Sequence, residues 1–514
     1  RRHGGAGMTA GDDAPPPDMR RRGALIGLGA AALAGAGGFA FLRQSGAATV
    51  PRLGMPPLLD VRETRKIALR AQTGRTRFGA GRPSMTAGFN QSYLGPTIIL
   101  PRGEVATDLR NALDEDVTVH WHGLLVPGEV DGGPHFPIAP GARRRGVLPV
   151  AQEPMTAWYH SHVHGATARH VYAGLAGIIH LVDGRDDERG LPSRYGIDDL
   201  TLILQDRRLD AEGRMVYDLT PTDILNGFHG NRIFVNGQIG ATAAVPAGIV
   251  RLRVLNASNA RTYTLMFPDG RPLHLIATDA GYLPAPRDIR SLRIASGERA
   301  EVLVDFSDGA GARMISGRGQ IDILDFAVDP ALAVRIDHLP DRIAPDLPPV
   351  GEVDGPTRRF ALNTGGGAVS GGSAGHQGHQ GHQGHGQALV ATTGETASGS
   401  SHDLHDFAIN GRVYDPARTD FDIPRGTTER WVISGGAGGE HPFHVHGVHF
   451  RVTDEAGGMV RPENSGWKDT VLVAGQTEIV VRFDHPAPPD YPFMYHCHIL
   501  EHEDAGMMGQ FTVS

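Results

Sequence analysis

Apolar and polar positions alternate along this chain in short runs cut by Pro-X-Gly turns, and the same unit recurs three times. In the first copy an apolar run over residues 94–100 meets Pro101-Arg102-Gly103, and alternation resumes over residues 105–111. In the second, Asn236-Gly237 leads to Val245-Pro246-Ala247-Gly248 and then to residues 250–256. In the third, Asn410-Gly411 leads to Ile423-Pro424-Arg425-Gly426 and residues 429–433. Period-two alternation predicts strands, and Pro-X-Gly predicts the turns between them. The expected fold is all-β, with three related β-sandwich domains.

The predicted domains span residues 57–188, 195–350 and 356–514. The third copy stands further from the second than the second from the first, and an insertion at 365–401 accounts for the difference. That insertion is rich in Gly, Ser, Ala and Thr and carries His376, His379, His382 and His385 at every third position. It has no apolar periodicity, so it is expected to be a linker rather than a packed element. Its histidines can bind copper or nickel transiently, or simply be solvated.

Composition sharpens this reading. Gly 70 and Pro 36 in 514 residues suit many short strands. A net charge of −8 leaves no nucleic-acid footprint. Residues 1–48 read as a polar extension followed by a twin-arginine export signal. Arg20-Arg21-Arg22 precedes an apolar run at 24–42, and Ser45-Gly46-Ala47 is a plausible cleavage site. The competing reading is a membrane anchor, for which a run of about 20 residues suffices. With the signal removed, no stable membrane span is expected, and the mature chain is expected to be a periplasmic or extracellular monomer. Exported proteins usually carry disulfides, yet this chain has a single cysteine. A lone thiol in an oxidising compartment is a liability unless a metal holds it.

That cysteine sits inside the densest chemistry. Four pairs read His120-Trp121-His122, His160-Ser161-His162, His444-Val445-His446 and His496-Cys497-His498. In a strand, residues i and i+2 share a face and i+1 points the other way. His496 and His498 would thus serve one centre while Cys497 serves another. Imidazole and thiolate favour copper, and two His, one Cys and a weak axial Met form a blue-copper set. His441, His502 and Met507 are available to complete it. His164, His170 and His180 have no place in the pattern and are expected to be packing residues.

These blocks resemble the multicopper oxidases, the family of laccases, bilirubin oxidases and bacterial copper-efflux oxidases. The likeness runs from about Pro57 onward and includes 120–124, 126–133, 158–162, 174–177 and 498–508. It implies three cupredoxin-like Greek-key domains and four copper ions. By resemblance, His441, Cys497, His502 and Met507 hold the type 1 copper, and His120 and His444 the type 2. His122, His160, His162, His446, His496 and His498 hold the type 3 pair. Electrons would pass from Cys497 to its histidine neighbours, and Asp131 and Glu503 would relay the protons that turn O₂ into water. A turn cap for Asp131 and a ligand-orienting role for Glu503 are the plainer alternatives. The first and third domains carry all the ligands, and the second is expected to be a scaffold.

The reductant is less defined. Small phenols, aromatic amines or a bilirubin-like compound are expected; the alternative is oxidation of Cu(I) or another metal ion in copper tolerance. The stretch before His441, Gly435-Gly436-Ala437-Gly438-Gly439-Glu440, lacks the Met and Asp of a thioether Cu(I) site. Its small residues leave room for an aromatic substrate, and Glu440 could attract a cation or accept a phenolic proton. A two-domain copper nitrite reductase is disfavoured by the eight paired histidines, and a storage or scaffold protein by the complete ligand set.

Overall fold

The computed structural model describes residues 51–317, 320–364, 407–436 and 439–514. The expected export signal at 1–48 and the His-rich insertion lie outside them. The described chain forms six sheets, two of four strands, two of five and two of six. They make three cupredoxin-like domains.

The recurring sequence unit explains why. Its second strand is Gly103–Asn111, Ile249–Asn256 or Thr428–Gly435. Each pairs in parallel with an early strand of its domain, Lys66–Thr76, Asp199–Arg207 or Thr357–Thr364. Each also pairs antiparallel with a later strand, Arg143–Val150, Arg299–Asp305 or Gln476–Arg482. Parallel neighbours require crossover connections, so each domain closes as a two-sheet sandwich rather than a meander. Three apolar clusters fill the interiors, centred on Leu252 and Val302, on Ile98 and Tyr159, and on Trp431 and Phe511.

The second domain is bound to the first by charge. Arg251 and Arg253 alternate with Val250, Leu252 and Val254, but their face does not meet water: both are buried. Arg251 and Arg253 reach Asp186 of the first domain at 3.2 and 3.6 Å, and Thr156 of the first domain donates to Glu301 at 2.7 Å.

The histidine pairs sit at strand ends. The strand Met155–His160 stops at the first histidine of its pair, and His441–Val445 stops just before His446. Phe493–Cys497 stops just before His498, and His120 lies in an isolated bridge to His160. The expectation that the pairs ride within strands therefore holds only in part. The alternation survives where it matters: His496 pairs with His444, and Cys497 beside it faces the apolar cluster of the third domain.

Candidate metal centres

Eight imidazoles from the first and third domains converge. The nearest ring nitrogens fall into three sets, His120/His122/His444, His122/His160/His498 and His162/His446/His496, each within 4.8 Å. All eight rings are buried. His120 stacks on His446 with centroids 3.8 Å apart, and His122 stacks on His444 at 3.7 Å.

Seven of the rings are hydrogen-bonded through one nitrogen and leave the other facing inward; His162 has the Glu503 carboxylate nearby but no hydrogen bond at Nδ1. The Nδ1 atoms of His120, His160, His444 and His496 lie 2.8–3.1 Å from the carbonyls of Asp131, Ser161, Asp469 and Cys497. His498 Nδ1 meets Ser296 Oγ at 3.2 Å. His446 Nδ1 meets Asp131 Oδ2 at 2.8 Å, and His162 Nδ1 lies 3.4 Å from Glu503 Oε1. His122 is reversed: its Nε2 meets Asp469 Oδ1 at 3.0 Å and Thr470 Oγ1 at 3.1 Å. Outward bonds to acceptors fix the tautomer, so each inward nitrogen carries a lone pair. Five of these, His120 Nε2, His122 Nδ1, His160 Nε2, His444 Nε2 and His498 Nε2, have no partner. The other three face each other, with His496 Nε2 at 3.3 Å from His162 Nε2 and 3.2 Å from His446 Nε2. Facing lone pairs repel and buried unpaired nitrogens are costly. Protonation cannot relieve this, because burial and the neighbouring imidazoles depress the basicity of His122, His160, His444 and His446. Bound cations resolve both problems, and an all-imidazole donor set suits copper.

The second site lies across Cys497. Its Sγ is 3.4 Å from His441 Nδ1 and 3.8 Å from His502 Nδ1, and the Ile499 amide donates to it at 3.4 Å. The one-turn helix Leu500–Asp504 turns the chain back. The Cys497 amide then donates to the Met507 carbonyl at 3.1 Å, and the Met507 side chain is fully buried. Burial pushes the thiol up and lowers His441 to about 4 and His502 to about 3. A thiolate between neutral imidazoles needs a cation. His502 Nε2 donates to the Leu225 carbonyl at 3.0 Å, so the short helix Pro221–Asn226 of the second domain aims this ring.

Both expected acids touch the cluster. Asp131 Oδ2 lies 3.3 Å from His120 Nδ1, and Asp131 Oδ1 is buried without a partner. Asp131 sits in the one-turn helix Gly128–Asp131 rather than in a simple turn. Glu503 Oε2 lies 3.2 Å from His496 Nδ1. Burial alone would raise the Glu503 carboxyl, but His162 and His496 outweigh it and hold it below the usual range.

The second domain does more than space the other two. Buried Arg299 bridges Asp469, which bonds His122, and Asp279. Lys468 lies 3.1 Å from Asp279 and 3.0 Å from Glu298. Gly297 packs against His498 so closely that a Cβ there would stand 2.8 Å from the ring. Sequence reading missed Asp469, Thr470, Arg299, Asp279 and Ser296. The one available signal is the charged pair Lys468-Asp469 directly before the apolar run Val471-Leu472-Val473.

Other expectations fall outside the cluster. His170 bonds Ser161 Oγ at 2.8 Å and His180 bonds Thr201 at 3.0 Å, as packing residues do. His164 packs its ring on Tyr414. Glu440 is engaged by Arg293. Ala437 and Gly438 lie outside the described residues. No described helix is long and apolar enough to cross a membrane.

Comparison with known proteins agrees with this architecture. Three family profiles, each described as multicopper oxidase, match residues 70–186, 195–321 and 387–514. The chain belongs to the multicopper oxidase family. Membership implies copper binding and copper-dependent oxidoreductase chemistry in general. Among solved structures, a laccase-like multicopper oxidase, CueO, from Ochrobactrum sp. is 37% identical with a TM-score of 0.79, covering 90% of this chain and 100% of that one. McoA from Aquifex aeolicus is 26% identical with a TM-score of 0.75, covering 91% and 100%. Among curated proteins, the cell division protein FtsP of Dickeya dadantii is 37% identical over 471 residues, 90% of this chain and 92% of the relative. FtsP of Escherichia coli is 35% identical over 482 residues, 92% and 95%.

Proposed function

We propose that this protein is a four-copper oxidase that takes single electrons from a small phenol or aromatic amine and delivers them to O₂, forming water. The observation that carries the reading is the set of eight buried imidazoles with unpartnered or mutually facing nitrogens, joined through one cysteine to a second site. His441, Cys497, His502 and Met507 would hold a type 1 copper, and His120 and His444 a type 2. His122, His160 and His498 would hold one type 3 copper, and His162, His446 and His496 the other. When bound, the coppers supply reversible one-electron redox chemistry and, together, the four electrons that O₂ requires.

The protein's own residues would do the rest. Cys497 is one peptide bond from His496 and one from His498, a covalent route between the sites. The unpartnered Asp131 Oδ1 and the Glu503 carboxylate are free to hold and pass protons beside the cluster. Arg299 and Asp469 fix His122, and Leu225 fixes His502. The domains are taken as 57–188, 195–350 and 356–514, exported by the twin-arginine route to the periplasm or beyond.

A phenolic reductant is favoured by the exposed Leu225, within the helix that orients His502, and the exposed Leu219 just before it. The Ochrobactrum relative is described as active towards lignin model compounds and lignosulfonate. Cu(I) oxidation is the second reading, weakened because Glu440 is committed to Arg293. The FtsP relatives are named for cell division, which raises a non-enzymatic role. Copper stoichiometry, with O₂ uptake on 2,6-dimethoxyphenol and on Cu(I), tests all three. Four coppers per chain and faster uptake with the phenol are expected; a copper-free, inactive protein would overturn the oxidase reading.

A further inference from the structure

A cavity of about 580 Å³ opens among residues of all three domains, and none of the cluster histidines, Cys497, His441 or His502 lines it. This is within the ~300–1,000 Å³ typical of small-molecule sites. Gln152 and Pro154 of the first domain, Tyr282 of the second, and His449 and Trp467 of the third line it, and the linker at 344–350 closes one wall. Nothing in the oxidase reading uses it.

The polar groups in the wall define what fits. His449 Nε2 donates to the Gly123 carbonyl at 2.9 Å, and Gln152 Nε2 donates to the same oxygen at 2.8 Å. That bond fixes the Nε2–H tautomer, so Nδ1 is a lone-pair acceptor. Burial lowers the basicity of this imidazole and keeps it neutral. The ring lines the cavity, and its one hydrogen bond to a described residue is made by Nε2, which leaves Nδ1 available to a ligand. The charged side chains at the rim are already satisfied: Arg189 by Asp183, Arg482 by Asp484 and Glu153 by Arg102. The groups left to meet a ligand are thus the imidazoles of His449 and His485, both made less basic by burial, and the side of the Trp467 ring away from Arg451, since Arg189 and Arg251 lie over Tyr282. A neutral, flat ligand with one O–H donor matches them; an ion does not.

We propose that this cavity binds a small neutral phenol, its hydroxyl donating to His449 Nδ1 and its ring lying against Trp467. The site is separate from the one where a reductant would meet His441 and His502, and no oxidation occurs in it. Its occupant touches the cluster indirectly, because the carbonyl that anchors both His449 and Gln152 belongs to Gly123, the residue after His122. The proposal stands whether or not the protein oxidises phenols, since binding alone is measured.

The test is calorimetric titration of the copper-loaded full chain with 4-cyanophenol, an electron-poor phenol, at pH 6 under nitrogen, with benzonitrile as the analogue lacking the hydroxyl. One saturable site per chain is expected. A single hydrogen bond is worth ~0.5–1.5 kcal/mol, so His449→Ala should weaken 4-cyanophenol binding about fivefold and leave benzonitrile unchanged. Ala344→Trp, which fills the space from the linker, should weaken both ligands at least about tenfold. Copper content and the visible spectrum should be unchanged in both variants, which shows that each has folded. Absent or unsaturable binding would overturn the proposal. So would a site that neither variant disturbs, because the phenol would then lie elsewhere, for instance beside His441.

Discussion

At the scale of the residue, chemistry concentrates in groups that burial has stripped of alternatives. Cys497 is the only cysteine, is fully buried, and has a thiol that burial holds protonated unless a cation replaces the proton. Cys497→Ser should abolish the intense visible band and oxidase activity while the copper content falls by one per chain; a variant that stays blue would refute the assignment. Asp131 and Glu503 each touch two imidazoles, so they could orient ligands or move protons. Asp131→Asn and Glu503→Gln keep the shape and much of the hydrogen bonding. If the acids relay protons, anaerobic reduction by substrate should be normal and reoxidation by O₂ should slow by ~10²–10⁴-fold, more at higher pH. If they only orient ligands, copper affinity should drop by roughly 10–100-fold instead. The ligands were legible in sequence because His-X-His and His-Cys-His are local patterns whose geometry follows from backbone alternation. Asp469, Arg299 and Ser296 were not legible: each reaches its histidine through contacts with residues some 170 to 350 positions away, and no local pattern marks them.

At the scale of the element, short pieces do positional work that their length conceals. The helix Pro221–Asn226 has only six residues, yet a capping box joins Thr220 to Asp223 and Arg208 clamps Asp223 at 2.7 Å. Its carbonyl at Leu225 aims His502. Removing the cap with Thr220→Ala should cost ~0.5–2 kcal/mol locally. The expected signature is a shifted visible band and altered phenol KM, with trinuclear copper and its O₂ reactivity intact; an unchanged mononuclear spectrum would show that the carbonyl bond does not orient His502. Alternation predicted the strands well, but not where they stop. A strand ends when its partner ends, and the partner's end is not written in the strand's own sequence. Hence the pairs at 160–162 and 444–446 read as strand interiors and prove to be strand termini, and the pair at 120–122 lies outside any strand, with His120 in an isolated bridge.

At the scale of the whole molecule, the threefold repeat was legible and the interfaces between its copies were not. Arg251 and Arg253 alternate as solvent-facing residues do, but their exposed face became a domain contact. The same interface holds Arg299, and Arg299→Leu leaves Asp469 buried without its cation, while Asp279 keeps Lys468. Breaking such a pair costs ~3–5 kcal/mol; a lower Tm and partial loss of type 3 copper at His122 are expected, and a Tm within error of wild type would contradict the buttress. Acid should act on the copper-free protein as a whole. Burial lowers His441 to about 4 and His498 and His502 to about 3, against an ordinary value near 6.5. Below ~6.5 the unfolded chain binds protons that the folded chain refuses, so stability falls as pH drops through the window from ~6.5 to ~4. Each such group steepens the fall by at most about 1.4 kcal/mol per pH unit. Denaturant titrations of the copper-free protein between pH 7 and 4.5 should reveal this loss, and copper should delay it by occupying the same nitrogens. A flat profile would mean that these imidazoles reach water more freely than their burial indicates.

The distribution of the eight histidines along the chain also sets an order in time. His162 and His496 face each other at 3.3 Å but are 334 residues apart. During synthesis the first domain is complete, with half of its cluster exposed as four bare imidazoles, long before the third domain emerges. No nascent chain can bring all eight imidazoles together before residue 498 has been made, so any metal that needs both halves of the set can bind only once the third domain has emerged. A cell that makes this protein therefore has to shelter an unfinished metal pocket for most of the time needed to build it.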